Sequence, residues 1–412
     1  MPPSLLSSRK GTRSHRRHAA VGSQKFLLVV FVSAAMLMAV SILLMPSIED
    51  ESTSANPELP KSTSQAVPQQ LGNFERKQQA RQEKEQQDLP PLVLKANALL
   101  GQPLITEQEP SNGGSKVNYH VVFSTGCSTF QDWQSYVLFH NFLQSGQEGK
   151  LTRIASGCKE KDTEDIQTIF REQIAVMARD RFSLHLTPDF SRVKPGVNFK
   201  YFNKPFGMQH WLTNALGYPD NHKVHDDTII ILMDPDQLIL RPFTNDFSNS
   251  TEVFKIYGGY KHKVEHGAPF AQEYGYGLQW KTKVKMDHIA PDSPVVSMSM
   301  DEARKFYIGM GPPYIATARD MFAIVTKWCE FVPKIYDDYP HLLAEMFGYN
   351  LAAAHLQLRH TIAHSFMVSE PMVMNGEGWG LVDKVETKDV CNDYPKELLP
   401  HVLHYCQNYR VL

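Results

Sequence analysis

The run Thr228–Met233 (TIIILM), followed at once by Asp234-Pro235-Asp236, constrains this chain more than any other feature. Consecutive β-branched and apolar residues without polar alternation read as a strand buried on both faces, the pattern of a parallel sheet. In open α/β sheets, ligands bind beyond the carboxyl ends of the strands. Two carboxylates two residues apart at that position offer hard oxygen donors of the kind Mg²⁺ or Mn²⁺ takes when it bridges a diphosphate. The same tripeptide also reads as a plain strand-to-turn exit, because Asp and Pro are good turn formers.

At 412 residues the chain is long enough for a large α/β core with appendages. Its formal net charge of −2 gives no bias toward nucleic acid. Charge is unevenly placed. Residues 1–25 hold Arg9, Lys10, Arg13, Arg16, Arg17 and Lys25 and no acid, a basic tail expected on the cytosolic side. Phe26–Met45 then runs for twenty residues without a charge, enough to span a bilayer as a helix. It is longer than the apolar region of a cleaved signal peptide. The expectation is a single-pass type II anchor at 26–45 with the remainder lumenal. Residues 46–115 are rich in Ser, Pro, Gln and Glu and read as a largely disordered stem, and 116–412 as the lumenal domain.

In the lumen, disulfides persist. Cys127 and Cys158 flank a strand–helix–strand unit, and Cys391 and Cys406 bracket the last segment; each pair is expected to bridge, leaving Cys329 free in a helix. With no CxxC pair, a cysteine zinc site is not expected. Asn249-Ser250-Thr251 is a glycosylation sequon in a polar stretch.

Strand and helix patterns alternate. Strands are expected at Tyr119–Ser124, Leu151–Ala155, Phe182–Leu186, Thr228–Met233 and Gln237–Leu240, and helices at Phe130–Gln144, Ile166–Arg179 and Pro205–Leu216. The pattern loosens beyond Pro242, and two stronger helices follow at Arg319–Ile335 and Leu342–Leu356, with a short extended close at Leu399–Tyr405. This alternation argues for a Rossmann-type α/β fold with a mixed, mainly parallel sheet flanked by helices. Trp133, Trp211 and Trp328 fall on helical stripes and read as core.

Several ordered motifs can then be compared together. Phe123–Cys158, with its Trp133-Gln134 helix and Thr152-Arg153 strand, resembles the opening of the peptidyl-serine α-galactosyltransferases and, more distantly, the hydroxyproline O-arabinosyltransferases. Asn203-Lys204-Pro205-Phe206 with Gln209-His210-Trp211-Leu212 resembles their helix start. Met233–Asp236 resembles their metal motif, Gly311-Pro312-Pro313-Tyr314 a Pro-rich loop before a helix, Leu343–Tyr349 a later helix and His404-Tyr405 the closing strand. The likeness spans roughly residues 117–406; the loop between Asn245 and Asp292 departs from it.

The resemblance implies a GT-A-like glycosyltransferase domain in the Golgi or ER membrane. It implies transfer of a sugar of the arabinose or galactose class from a UDP donor to Ser or hydroxyproline hydroxyls, with retention. Mn²⁺ or Mg²⁺ would be held by Asp234 and Asp236, and His404 is either the third ligand or a partly buried histidine bonded to backbone. Glu345, among apolar neighbours, is either a catalytic group near the anomeric carbon or a solvated helix glutamate. Lys204, Asn203, Gln209 and Arg153 are candidates for donor contacts, Asn203 equally for a helix cap. Gly311, Pro312 and Pro313 are the candidate substrate loop. Two rival readings remain at this stage: a lumenal metal-dependent hydrolase, and a non-catalytic membrane-tethered binding protein.

Overall fold

Strand β4 (Ile229–Met233) forms where the apolar run lies, and its five residues are at most 1% exposed. At about 2 kcal/mol per fully buried aliphatic side chain, this strand is among the chain's strongest local commitments. The computed structural model describes residues 117–222, 225–250, 261–370, 377–389 and 398–406. The expected anchor, stem and basic tail lie outside them. Among the described residues no helix is long and apolar enough to cross a membrane. Nearly all of the described residues belong to one unit, Asn97–Lys384 with Pro395–Leu412.

The architecture is a mixed α/β sandwich. A seven-stranded sheet runs in the order β3-β2-β1-β4-β7-β6-β8, where β1 is Tyr119–Thr125, β2 Lys150–Ser156, β3 Phe182–Thr187, β6 Phe270–Glu273, β7 Met310–Thr317 and β8 Thr361–Ala363. The β1, β2, β3 and β4 pairings are parallel, as is β6 with β8; β7 alone runs against its neighbours. Alternation along β4 explains the layers. Ile229, Ile231 and Met233 join one core with Phe139 and Phe142 of α1 (Thr129–Ser145), while Ile230 and Leu232 join the other with Trp211 of α3 (Asn203–Asn214). That second core is completed by α5 (Ala318–Asp338) and α6 (Ala344–His355). Helices α2 (Glu160–Ile169) and α4 (Met300–Tyr307) lie between these in the chain.

Three departures from the sequence reading have physical causes. The helix expected over Ile166–Arg179 starts at Glu160, and beyond Ile169 it loosens into a π turn and a 3₁₀ turn. Gly311, Pro312 and Pro313 are not a loop before a helix but the start of β7, fully buried. Their prolines are tolerated because the ladder skips them: Ala271 pairs with Tyr314 and Gln272 with Gly311, so no β6 residue needs their missing N–H. The stretch beyond Pro242 that lacked a pattern supplies β6, too short and too poor in β-branched residues to be read locally.

Cys127 and Cys158 are bridged, with Cα atoms 5.1 Å apart, tying the exits of β1 and β2 together. Of the second expected pair, Cys406 carries a free thiol and Cys391 lies outside the described residues. Cys329 is free and buried in α5, as expected. Asn249 is exposed in a turn.

Buried histidines, His120 and His401 among them, make stability depend on pH. Burial lowers His120, which bonds Thr152 at 2.7 Å, and His401, which bonds the Arg241 carbonyl at 3.1 Å, each to about 3. Both are neutral in the fold, whereas the unfolded chain protonates them below about 6.5. Their contribution is therefore intact above that pH and is lost as pH falls toward 3. Urea unfolding at pH 7 and pH 5 should show roughly 2 kcal/mol lost per histidine, largely abolished for His120 in a His120→Gln variant.

Candidate active site

The carboxyl end of β4 delivers Asp234 and Asp236, and a second, three-stranded sheet closes over them. In it β5 (Gln237–Ile239) pairs antiparallel with β10 (Val402–His404), which also pairs with β9 (Met367–Val368). The register sets His404 opposite Gln237, one residue from Asp236. Its Nε2 lies 3.3 Å from Asp236 Oδ1, and the Tyr405 N–H donates to the Asp236 carbonyl at 3.1 Å. One donor atom each from Asp234, Asp236 and His404 falls within 4.8 Å of the others. Sequence reasoning named all three. Burial alone would lower His404, but its bonds to Asp236 and Cys406 outweigh that and hold it up to about 10.

Two carboxylates and one imidazole fit a hard divalent cation such as Mn²⁺ or Mg²⁺ better than a soft one. Asp234 and His404 keep 20% and 14% of their side chains exposed and Asp236 8%, so the cluster reaches solvent on one side.

Helix α3 supplies a fixed cation. Lys204, in its first turn, places Nζ 2.7 Å from Asp234 Oδ1 and 3.4 Å from Glu345 Oε1. Burial opposes its charge, but the two acids hold it above the usual lysine range. Glu345 is 3% exposed, which removes the solvated-helix reading. Burial pushes its carboxyl up to about 7, with Lys204 pulling down and Asp234 adding upward. Glu345 is held by its backbone: Trp328 Nε1 donates to its carbonyl at 2.7 Å, and Gly348 permits this close crossing of α5 and α6, since a Cβ there would sit 2.7 Å from the Trp328 ring.

Other expected residues do other work. Arg153 is 1% exposed, and its guanidinium is spent inside the chain, on Thr125 Oγ1 at 2.9 Å, the Gly126 carbonyl at 3.3 Å and Asp132 at 2.7 Å. It fixes the β1–α1 turn rather than standing open to a donor. Asn203 does not cap α3; its Oδ1 accepts from the Phe190 N–H at 2.7 Å. Gln209 lies more than a turn beyond Lys204, half-buried and outside the cluster. Of the substrate-loop candidates, Pro312 contributes only its carbonyl, which accepts from Gln237 Nε2 at 3.0 Å and the Tyr274 hydroxyl at 2.9 Å. Gly311 lets the Tyr274 ring approach, for a Cβ would meet that ring at 2.3 Å.

Gln237 and Tyr274 were missed. Gln237 Oε1 accepts from the Asp234 N–H at 3.0 Å, so it orients the acidic turn. Burial, then Asp234 and Asp236, push the Tyr274 hydroxyl well above its usual range, keeping it a donor. Gln237 was discoverable, since it follows Asp236 directly; Tyr274 lies in the stretch without pattern. A cavity of about 350 Å³ lined by Asp227, Thr228, His266 and Thr317 lies at the opposite end of β4 and takes no part in this cluster.

A family model described as the hydroxyproline O-arabinosyltransferase family N-terminal domain matches residues 119–362. Peptidyl serine alpha-galactosyltransferase of Arabidopsis thaliana is 25% identical over 264 residues, 62% of this chain and 28% of that protein. The protein of the same name from Chlamydomonas reinhardtii is 28% identical over 156 residues, 37% of this chain and 18% of that one. The chain thus spans less than a third of the length of either relative. The solved structure of the galactosyltransferase LgtC with donor and acceptor sugar analogues aligns at a TM-score of 0.39 and 11% identity, over 70% of this chain and 87% of that one. With 119–362 matched, well over half of its 412 residues, the chain belongs to the hydroxyproline O-arabinosyltransferase family.

Proposed function

We propose that this protein is a GT-A-like glycosyltransferase of the secretory pathway. It moves a sugar of the arabinose or galactose class from a UDP donor to a Ser or hydroxyproline hydroxyl of a protein, with retention of configuration. Golgi or ER residence through the type II anchor at 26–45 is part of the same reading. The observation that carries it is the convergence of Asp234, Asp236 and His404 within 4.8 Å at the carboxyl end of β4, in a chain of this family.

Asp234, Asp236 and His404 would hold Mn²⁺ or Mg²⁺. When bound, the cation supplies electrophilic stabilisation of the departing diphosphate. The chain's own residues do the rest. Lys204 provides a second positive charge beside Asp234, placed to take up phosphate oxygens when Asp234 is otherwise engaged. Gln237 and Tyr405 fix the backbone of the acidic turn, so its carboxylates need little rearrangement on loading. Glu345, raised to about 7 beside Lys204, is suited to hold or accept a proton at the sugar or acceptor hydroxyl. Among the described residues there is one cluster able to hold a metal, which disfavours two-metal hydrolysis.

The test is thermal unfolding with UDP, Mn²⁺, or both. UDP should raise Tm only when Mn²⁺ is present, by several degrees at ligand concentrations about 100-fold above Kd. An equal shift from UDP alone would remove the cation from the site.

A further inference from the structure

The sequence places Trp133 in the core, but it is half-buried, whereas Trp211 and Trp328 are 2% and 0% exposed. Phe130, three residues earlier on α1, is 49% exposed, and the two rings stack with centroids 6.1 Å apart and planes 25° apart. Trp133 in turn meets Tyr405 edge-on, at 6.5 Å and 79°. Tyr405 follows His404, donates its N–H to the Asp236 carbonyl at 3.1 Å, and rests its hydroxyl 3.4 Å from the Pro235 carbonyl. Trp133 therefore links Phe130, on the surface of α1, to Tyr405, on the acidic turn.

We propose that Phe130, Trp133 and Tyr405 form a docking ledge for the acceptor, taking a proline-rich peptide in the polyproline II conformation and leading it past Asp236 and His404. This deepens the transferase reading and rests on it. Phe130, 49% exposed, forgoes burial worth about 25 cal/mol per Å², and an apolar ring so placed beside a half-buried Trp133 marks a binding surface. The three side chains carry no charge, so they select neither acidic nor basic peptide. Aromatic-lined grooves take polyproline II segments because pyrrolidine rings pack on aromatic faces and the segment is already ordered. Each centroid separation, 6.1 and 6.5 Å, matches about two such residues at roughly 3.1 Å each.

The ledge is also held rigid. Ser128 caps α1 by accepting from the Gln131 N–H, and the Cys127–Cys158 bridge pins the residue before it. Asp132, between Phe130 and Trp133, is locked by the buried Arg153 at 2.7 Å. Arg153 thus becomes a positioning residue for the ledge, and little ordering remains to be done on binding.

Fluorescence anisotropy of a labelled oligo-hydroxyproline peptide with the full chain tests this, alongside a Gly-Ser peptide of equal length. Trp133→Ala should weaken oligo-hydroxyproline binding at least about tenfold, Phe130→Ala less, and Trp133→Phe should stay within about threefold of the parent. The UDP–Mn²⁺ rise in Tm should be the same in Trp133→Ala as in the parent, which also shows that the variant folds. Equal peptide affinity in the parent and Trp133→Ala, or equal binding of the Gly-Ser peptide, would overturn the ledge and leave the transferase reading standing. Loss of the UDP–Mn²⁺ shift in Trp133→Ala with peptide binding kept would assign the rings to the nucleobase and also overturn it. Trp133-dependent peptide binding with no UDP response in the parent would sink the transferase reading and, with it, the acceptor role of the ledge, leaving a peptide-binding surface alone.

Discussion

On the proposed function, Asp236→Ala is expected to remove cation binding and to lower sugar transfer by at least about a hundredfold, equivalent to roughly 2.7 kcal/mol or more of lost transition-state stabilisation, while the fold survives. The side chain is the link between the two halves of the cluster, since its Oδ1 lies 3.3 Å from His404 and it closes the set that includes Asp234. Without it, one carboxylate and one imidazole remain, too few hard donors to hold a divalent ion in competition with water. The backbone of the turn does not depend on the carboxylate: the Asp236 carbonyl keeps the Tyr405 N–H, and Gln237 keeps the Asp234 N–H. Circular dichroism should therefore be unchanged. Mn²⁺ binding read by electron paramagnetic resonance should vanish along with UDP release from a UDP-sugar. Undiminished turnover in Mn²⁺ would show that the site lies elsewhere.

What the sequence made legible follows from how each signal is written. β4 and its acids are local: an unbroken apolar run buried on both faces and a polar exit at its end are readable within nine residues. His404 was reachable only by resemblance, because its place beside Asp236 depends on β10 returning antiparallel to β5 across some 160 residues of chain. Gly311-Pro312-Pro313 was read by resemblance as a Pro-rich loop, and only the skipped register of β6 against β7 makes room for its prolines in a strand. Trp133 was misread for a different reason. Its spacing fits a buried stripe, and nothing local tells that the ring lies over Tyr405 at the surface. Arg153 looked like a free cation until Thr125, Gly126 and Asp132 were found to consume it.

Lys204→Met is expected to destabilise the cation-free protein by about 3 kcal/mol, because it leaves the partly buried Asp234 without its counter-ion, and to be largely rescued by Mn²⁺. Lys204 sits 2.7 Å from Asp234 and 3.4 Å from Glu345, so in the absence of a metal it is the charge that makes this acidic corner tolerable. A divalent ion on Asp234 supplies the same neutralisation, which methionine cannot. The two acids differ in how much they need the lysine. Glu345, with its carboxyl raised to about 7, can take up a proton near neutral pH, so Glu345→Gln should cost under about 1 kcal/mol. By the same logic, adding Glu345→Gln to Lys204→Met should return part of the loss, a coupling readable in a double-mutant cycle. Urea unfolding of the four proteins, each with and without Mn²⁺, measures all of this without any substrate. A Lys204→Met protein as stable as the parent, or one that gains no more from Mn²⁺ than the parent does, would mean that lysine and cation do not share Asp234.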